Sequence, residues 1–546
     1  MYKKILFIFL TFLSSYQFLS QTQQEKNHFH RADTLKGGLR PERTDFDILK
    51  YNLEVEVFPE EKFISGKNEI SFKTLKKTNR MQLDLFENMK VDSILYKDKK
   101  LVYQREFDAV FIDFPQVLSE NTSTSIDFYF SGKPTLAKNP PWDGGFIFTK
   151  DKNGKDWISL AVQGIGASAW YPNKDHPSDR PEEAEIHVTT PKDLMNVSNG
   201  RLTKKEELTN GKTLWSWKVT YPINSYNLII NIGDYVHFSD TYQDLDLEYY
   251  VLSYNKEKAQ EHFEQVKPMM SCFTEKFGAY PFKRDSYKLV EAPFLGMEHQ
   301  SAVAYGNHFK NGYAGRDISG SGVGLKFDFM IVHESAHEWF GNSISASDKA
   351  DMWIQEGFTS YAEAVYIECR WGKTEALKYL NGLRRTMVEN LKPIIGNYNV
   401  NQKGSTDMYY KSANMLHTIR TIIDNDQKWW KILKDFYKKY EYQIIDTEEV
   451  VEFFTKESDI NLNPVFEQYL KFTRIPELQF KRDKGKVYYR WEADAVNFEM
   501  PVNIGIAGKP KKIYATKYWQ ELDQKASLNQ IKADEINNYI QVRIFK

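Results

Sequence analysis

Val332-His333-Glu334-Ser335-Ala336-His337-Glu338 places two histidines four residues apart, with a glutamate beside the first. On a helix that spacing sets both imidazoles on one face, about one turn apart, so both can reach a single metal ion. Glu334 points to the side of that pair, where a base for the metal's water would stand. Glu356, in Trp353-Ile354-Gln355-Glu356-Gly357-Phe358, follows His337 after eighteen intervening residues, enough chain for one helix to end and a second to return one carboxylate. Two His and one Glu leave a tetrahedral Zn²⁺ with an open fourth position, the arrangement of a catalytic rather than a structural zinc.

The neighbours of these residues read more plainly. Glu338 is expected on the helix surface or backing the ligands, and Gln355 is a candidate to orient a histidine. Trp339, Phe340 and Trp353 are expected in the core.

The elements that must hold this pair of segments follow from hydrophobic texture. From Asp45 the chain alternates, as in Tyr51-Asn52-Leu53-Glu54-Val55-Glu56-Val57-Phe58 and Ser125-Ile126-Asp127-Phe128-Tyr129-Phe130. Gly, Pro, Asn and Asp break the alternation every ten or so residues, which predicts an N-terminal antiparallel β domain over 45–250. After Lys256 the period becomes helical: 257–277, the site-bearing 327–340, then 359–371, 374–391, 412–424, 428–440 and 447–458. Lys288-Leu289-Val290 reads as a strand leading to Leu295-Gly296-Met297-Glu298-His299. The expected fold is a multidomain α+β protein, with a mainly helical catalytic domain over 251–475 and a small C-terminal β-sandwich over 476–546.

Composition narrows the function. The chain has 546 residues, too many for one core. Its 73 basic and 74 acidic side chains leave a formal net charge of −1, so no single-sign field favours nucleic acid. Cys272 and Cys369 are too few for a disulfide framework and read as small buried apolar residues. Lys3 and Lys4 precede an apolar run, Ile5 to Leu13, expected to be a secretory signal over 1–20 with cleavage near Ser20 or Gln21. A loose polar leader is expected over 21–44, and the mature chain has no stretch long enough for a stable membrane span. Secretion or a periplasmic location follows as an expectation.

With these motifs in place, the chain resembles the zinc aminopeptidases of peptidase family M1, gluzincins with a thermolysin-like catalytic domain that include aminopeptidase N and leukotriene-hydrolase-like members. The resemblance runs from about Asp45 to the C-terminus. It implies that His333, His337 and Glu356 bind one Zn²⁺ and that Glu334 is the general base. Leu295-Gly296-Met297-Glu298-His299 is similar to the family's G-x-M-E-N motif, so Glu298 would hold the substrate's free α-amine, with Gly296 and Met297 in the same substrate-binding strand. Leu295 and His299 depart from that motif. Gln163-Gly164-Ile165-Gly166-Ala167-Ser168-Ala169-Trp170-Tyr171-Pro172 is similar to the family's N-domain loop that reaches the active site, and Gln163 would be the second amine contact. Tyr409-Tyr410-Lys411-Ser412 resembles Y-x-K-G, which makes Tyr409 the transition-state tyrosine, with Tyr410 beside it as the other candidate. The 70 residues after Pro476 imply a short form without the family's helical C-terminal domain.

The function expected is a zinc aminopeptidase acting on peptides with a free N-terminus. A thermolysin-type endopeptidase and a catalytically retired binding protein are the rival readings; the second would be expected to have lost Glu334 or a ligand.

Overall fold

The alternation from Phe46 onward folds as strands, and a computed structural model describes residues 29–524 and 526–545. The expected signal sequence, residues 1–20, lies outside the described residues. Phe46–Phe58 and Phe63–Thr74 pair as a long hairpin at the centre of an eight-stranded sheet. Their inward residues, among them Tyr51, Leu53, Ile64 and Ile70, are fully buried, as a half-covered sheet requires.

One pairing departs from the expected antiparallel pattern: Lys50–Glu56 runs parallel to Glu183–Thr189. Parallel neighbours need a long crossover. The chain leaves this sheet after Ser123–Gly132 and returns only at Glu183, and the excursion carries Gln163.

Two further expectations change. Strands Tyr235–Tyr242 and Leu245–Leu252 lie before the expected boundary at Tyr250, yet they belong to the second unit. Leu247–Tyr250 pairs with Tyr287–Val290 in a five-stranded sheet, and Leu247 and Val251 pack with Phe263 and Val266. A hairpin's alternation is the same whichever sheet it joins, so texture alone set the boundary too late. The leader is not loose over its described part either. Arg31–Gly37 and Pro41–Thr44 are helical, and the fully buried Arg43 donates to Asp84 Oδ2 (2.6 Å) and to the Lys36 carbonyl (2.9 Å). Its charges are paired inside the protein, which composition cannot reveal.

The second unit sets the short strand Gly296–Met297 at the sheet edge and surrounds it with helices, among them Phe329–Ala336, Trp353–Trp371, Lys373–Thr386, Tyr410–Ile423, Asp426–Tyr440 and Thr447–Ser458. Helix Asn463–Lys471, with Pro464 in its first turn, was not anticipated. Cys272 and Cys369, read from sequence as small buried apolar residues with one bridge between them possible, are joined as a disulfide between helices Val266–Lys276 and Trp353–Trp371. Cys272 is buried and Cys369 exposed, and they lie far apart in sequence, a proximity no spacing rule shows.

After Glu477 two small sheets, of four and three strands, face each other around Phe480, Trp491, Ile504 and Ile513. This core is continuous with the helical unit; the Tyr469 hydroxyl donates to the Tyr539 carbonyl at 2.5 Å.

Candidate active site

Helix Phe329–Ala336 is fixed at its start. Asp328 caps it by accepting the N–H groups of Met330 (2.9 Å) and Ile331 (3.3 Å), and the Tyr305 hydroxyl and Asn307 hold the same carboxylate. His333 lies in the last turn and His337 at the C-cap, while Glu356 sits in the first turn of Trp353–Trp371. All three are buried.

Each imidazole is oriented through Nδ1. His333 Nδ1–H donates to Glu363 Oε1 (2.7 Å), and the Tyr379 hydroxyl donates to Glu363 Oε2 (2.7 Å). His337 Nδ1–H donates to the Phe340 carbonyl (2.9 Å), with Thr359 Oγ1 at 3.2 Å. The Nε2 lone pairs are thereby turned toward Glu356, whose Oε2 lies 3.4 Å from His337 Nε2 and 3.9 Å from His333 Nε2. Ligands about 2.1 Å from a tetrahedral zinc stand about 3.4 Å from one another, so the donor set fits that ion.

The electrostatics ask for a cation. Burial alone would lower the His337 pKa, but Glu356, Glu298 and Glu334 around it raise it to about 10. Burial pushes Glu334 up to about 7, near the pH at which a group can both take and return a proton. Glu298, Glu334 and His337 bring one ligand-type atom each within 4.8 Å of one another.

Glu298 follows the edge strand, and the Asn342 side chain holds its carbonyl (2.7 Å). Its Oε1 accepts from the Tyr226 hydroxyl (3.0 Å) and from Gln163 Nε2 (2.5 Å), and burial raises its pKa. Gln163 Nε2 also reaches Glu356 Oε1 at 3.3 Å. One amide from the N-terminal unit thus bridges the Glu298 and Glu356 carboxylates, and its Oε1 is left as a free acceptor among the described residues. Gly296 stands against the base: a Cβ there would meet Met330 Sδ at 2.6 Å and Glu334 Oε1 at 3.1 Å. Met297 is buried with Ala161, Phe294 and Ala304 behind the strand.

The half-buried Tyr409 has its ring 6.4 Å from that of His333. Burial, then Glu356, raises its hydroxyl well above the usual value, so it stays protonated. Tyr410 is buried behind it, toward Glu363 and Tyr313. The geometry therefore separates the two tyrosines, with Tyr409 on the metal side.

Glu338 is not a surface residue. It is fully buried, accepts the Ser301 N–H (2.8 Å), and burial pushes it up to about 8. Gln355 bonds neither histidine among the described residues and lines a cleft beside Gln163. Trp339, Phe340 and Trp353 are fully buried. His299 is sealed in the interior, neutral and depressed to about 3 by burial.

Sequence reasoning missed Glu363, Thr359, Tyr379 and Tyr226. Glu363 had a signal, since it follows Glu356 by seven residues and so shares its helix face. Tyr226, on a loop of the N-terminal unit, had none.

Comparison with known proteins agrees with this arrangement. Residues 261–469 match the peptidase family M1 domain and residues 48–227 the peptidase M1 N-terminal domain. The tricorn protease-interacting factor F2 of Thermoplasma volcanium is 21% identical over 387 residues, 68% of this chain and 48% of that protein. The leucine aminopeptidase 2 of Vanderwaltozyma polyspora is 23% identical over 461 residues, 76% of this chain and 64% of the relative. Aminopeptidase N of Escherichia coli is 22% identical over 53% of this chain and 34% of its own. The chain thus spans less than two thirds of these relatives. An M1 zinc metallopeptidase of Deinococcus radiodurans shares the fold, with a TM-score of 0.66 at 17% identity over 81% of this chain and 98% of that one.

Proposed function

The chain belongs to peptidase family M1, and on that premise we propose that it is a zinc aminopeptidase that removes the first residue from peptides with a free N-terminus. The observation that carries this reading is the Gln163 bridge between Glu298 and Glu356. It fixes an anchor for an ammonium group directly beside the metal ligands, so the bond that reaches the metal is the first peptide bond.

Zinc held by His333, His337 and Glu356 supplies a Lewis acid that polarises a carbonyl and acidifies water. Glu298 provides charge for the ammonium and the Gln163 carbonyl a neutral acceptor. Glu334 takes a proton from the attacking water and delivers it to the leaving nitrogen, work suited to a carboxyl poised at about 7. The Tyr409 hydroxyl donates to the oxygen that gains charge, a contribution on the order of 3 kcal/mol. One zinc per chain is part of the proposal, supported by a single set of two His and one Glu among the described residues.

A location outside the cytoplasm is part of the proposal. The signal-like residues 1–20 support it, and so does the Cys272–Cys369 disulfide, a bond favoured in oxidising compartments. No described helix is long and apolar enough to cross a membrane.

The test compares one short peptide with its N-acetylated twin on zinc-loaded protein, read by mass spectrometry. Stepwise loss of N-terminal residues from the free peptide alone is the expected result. Internal cuts in both peptides would make the protein an endopeptidase.

A further inference from the structure

A cleft of about 60 Å³ opens beside the amine anchor, with Gln163, Tyr226, Met352 and Gln355 in its lining. Gln163 and Tyr226 both bond Glu298, so a side chain leaving the α-carbon of an anchored first residue meets this cleft at once. Its lining carries Asp175, Asp179, Asp348 and Lys349, and each carboxylate is held by at least one cation or N–H group. Asp175 accepts from Ser168 Oγ (2.5 Å) and pairs with Lys36 (3.1 Å). Asp179 pairs with Lys174 at 2.5 Å. Asp348 accepts the N–H groups of Ala350 (2.8 Å) and Asn399 (2.9 Å).

Lys349 differs in its partners. Its Nζ donates to Asn401 Oδ1 (2.6 Å) and to the Gly164 carbonyl (3.3 Å), one residue beyond Gln163. Among the described residues no carboxylate oxygen lies within ion-pair reach of it. An ammonium has three N–H donors, so one remains for a ligand, and an anionic partner there would compensate a half-buried charge that has only neutral acceptors. Burial, then the neighbouring Lys36, lowers this amine to about 8, against the opposing pull of Asp175 and Asp348.

We propose that this cleft receives the side chain of the substrate's first residue and that Lys349 selects a carboxylate there, giving a preference for peptides that begin with Glu or Asp. The assignment rests on the aminopeptidase reading and names its substrate class. Asp175, Asp179 and Asp348 are each held by a cation or by N–H groups, and the one oxygen without a partner, Asp179 Oδ1, is sealed from solvent, so these carboxylates do not favour a basic side chain instead.

The experiment measures kcat/KM of the zinc-loaded full chain on the aminoacyl-coumarin amides of Glu, Gln, Leu and Lys. Glu and Gln share a shape and differ in charge, so their ratio reads the lysine. The wild type is expected to favour Glu over Gln about tenfold, an effect carried mainly in KM. Lys349→Met should bring the ratio near one with the Leu amide little changed, Lys349→Arg should keep it, and Lys349→Glu should shift preference toward Lys. A wild type that cleaves Leu or Lys amides better than Glu, or a Glu-to-Gln ratio indifferent to Lys349→Met, overturns the assignment and leaves the aminopeptidase reading standing. Cleavage of none of the amides by zinc-loaded wild type overturns both. The wild-type comparison needs no variant to fold.

Discussion

Glu363 Oε1 lies 2.7 Å from His333 Nδ1, two helical turns beyond Glu356 on the same helix. One helix face therefore supplies a metal ligand and the group that orients another ligand. Glu363 is itself held by the Tyr379 hydroxyl from the next helix, so the chain of support runs inward from the metal site to a packed core.

Removing that support should weaken the metal before it unfolds the protein. Glu363→Ala is expected to lower zinc affinity about 10- to 100-fold, because the His333 ring loses its orientation and its added basicity. Glu363→Gln keeps an acceptor for the Nδ1–H and should lose less. Competition with a chromophoric chelator measures both, and equal zinc affinity in Glu363→Ala and wild type would contradict the role.

The two candidate tyrosines can be separated by kinetics. Tyr409→Phe should lower kcat roughly 100- to 1000-fold, the cost of one donor to a developing oxyanion, and leave zinc in place. Tyr410→Phe, buried behind the site, should change kcat little. Glu334→Gln should likewise retain zinc while turnover falls about 100- to 10000-fold. Substantial turnover in Glu334→Gln, with zinc content verified, would sink the general-base assignment.

What the sequence made legible were the local relations. The His333–His337 spacing, Glu334 beside it and Glu356 a turn-and-return later follow from local geometry, and helix Thr447–Ser458 has the bounds that its period predicts. Relations between distant segments were not legible. Glu338 reads as a polar helix position until Ser301 is found against it. The Tyr235–Leu252 hairpin carries no mark of which sheet it joins, and the Cys272–Cys369 pair is separated by 97 residues. The leader hid its structure in its charges, since Lys36 and Arg43 look solvated until their buried partners are known.

That leader has a consequence for binding. Lys36 Nζ donates to the Ile165 carbonyl (2.5 Å) and Ser168 Oγ (3.3 Å) and pairs with Asp175 (3.1 Å), bracing the loop just past Gln163. Lys36→Met should leave zinc content and kcat nearly unchanged but raise KM about tenfold, because the amine contact loses its fixed place. A parallel fall in kcat and zinc content would mean that the lysine serves general stability instead.

Acid should destabilise the fold through histidines remote from the metal. His417 is buried in helix Tyr410–Ile423, and its pKa is depressed to about 3 by burial first and then by Arg420, Lys373 and Arg384. In the unfolded chain the same ring titrates near 6.5, so between about 6.5 and 3 the unfolded state binds a proton that the folded state does not. Stability from this group is complete above 6.5 and is lost as pH falls, by about 2 kcal/mol at pH 5. His176, also buried and depressed to about 3, acts in the same direction. Buried carboxyls with raised pKa, Glu338 among them, act in the opposite direction, so denaturant unfolding between pH 7.5 and 5 is read as the difference between the wild type and a His417 variant. Relative to the wild type, His417→Leu should gain about 2 kcal/mol at pH 5 against its own value at pH 7.5. An unchanged slope in the variant would place the acid sensitivity elsewhere in the protein.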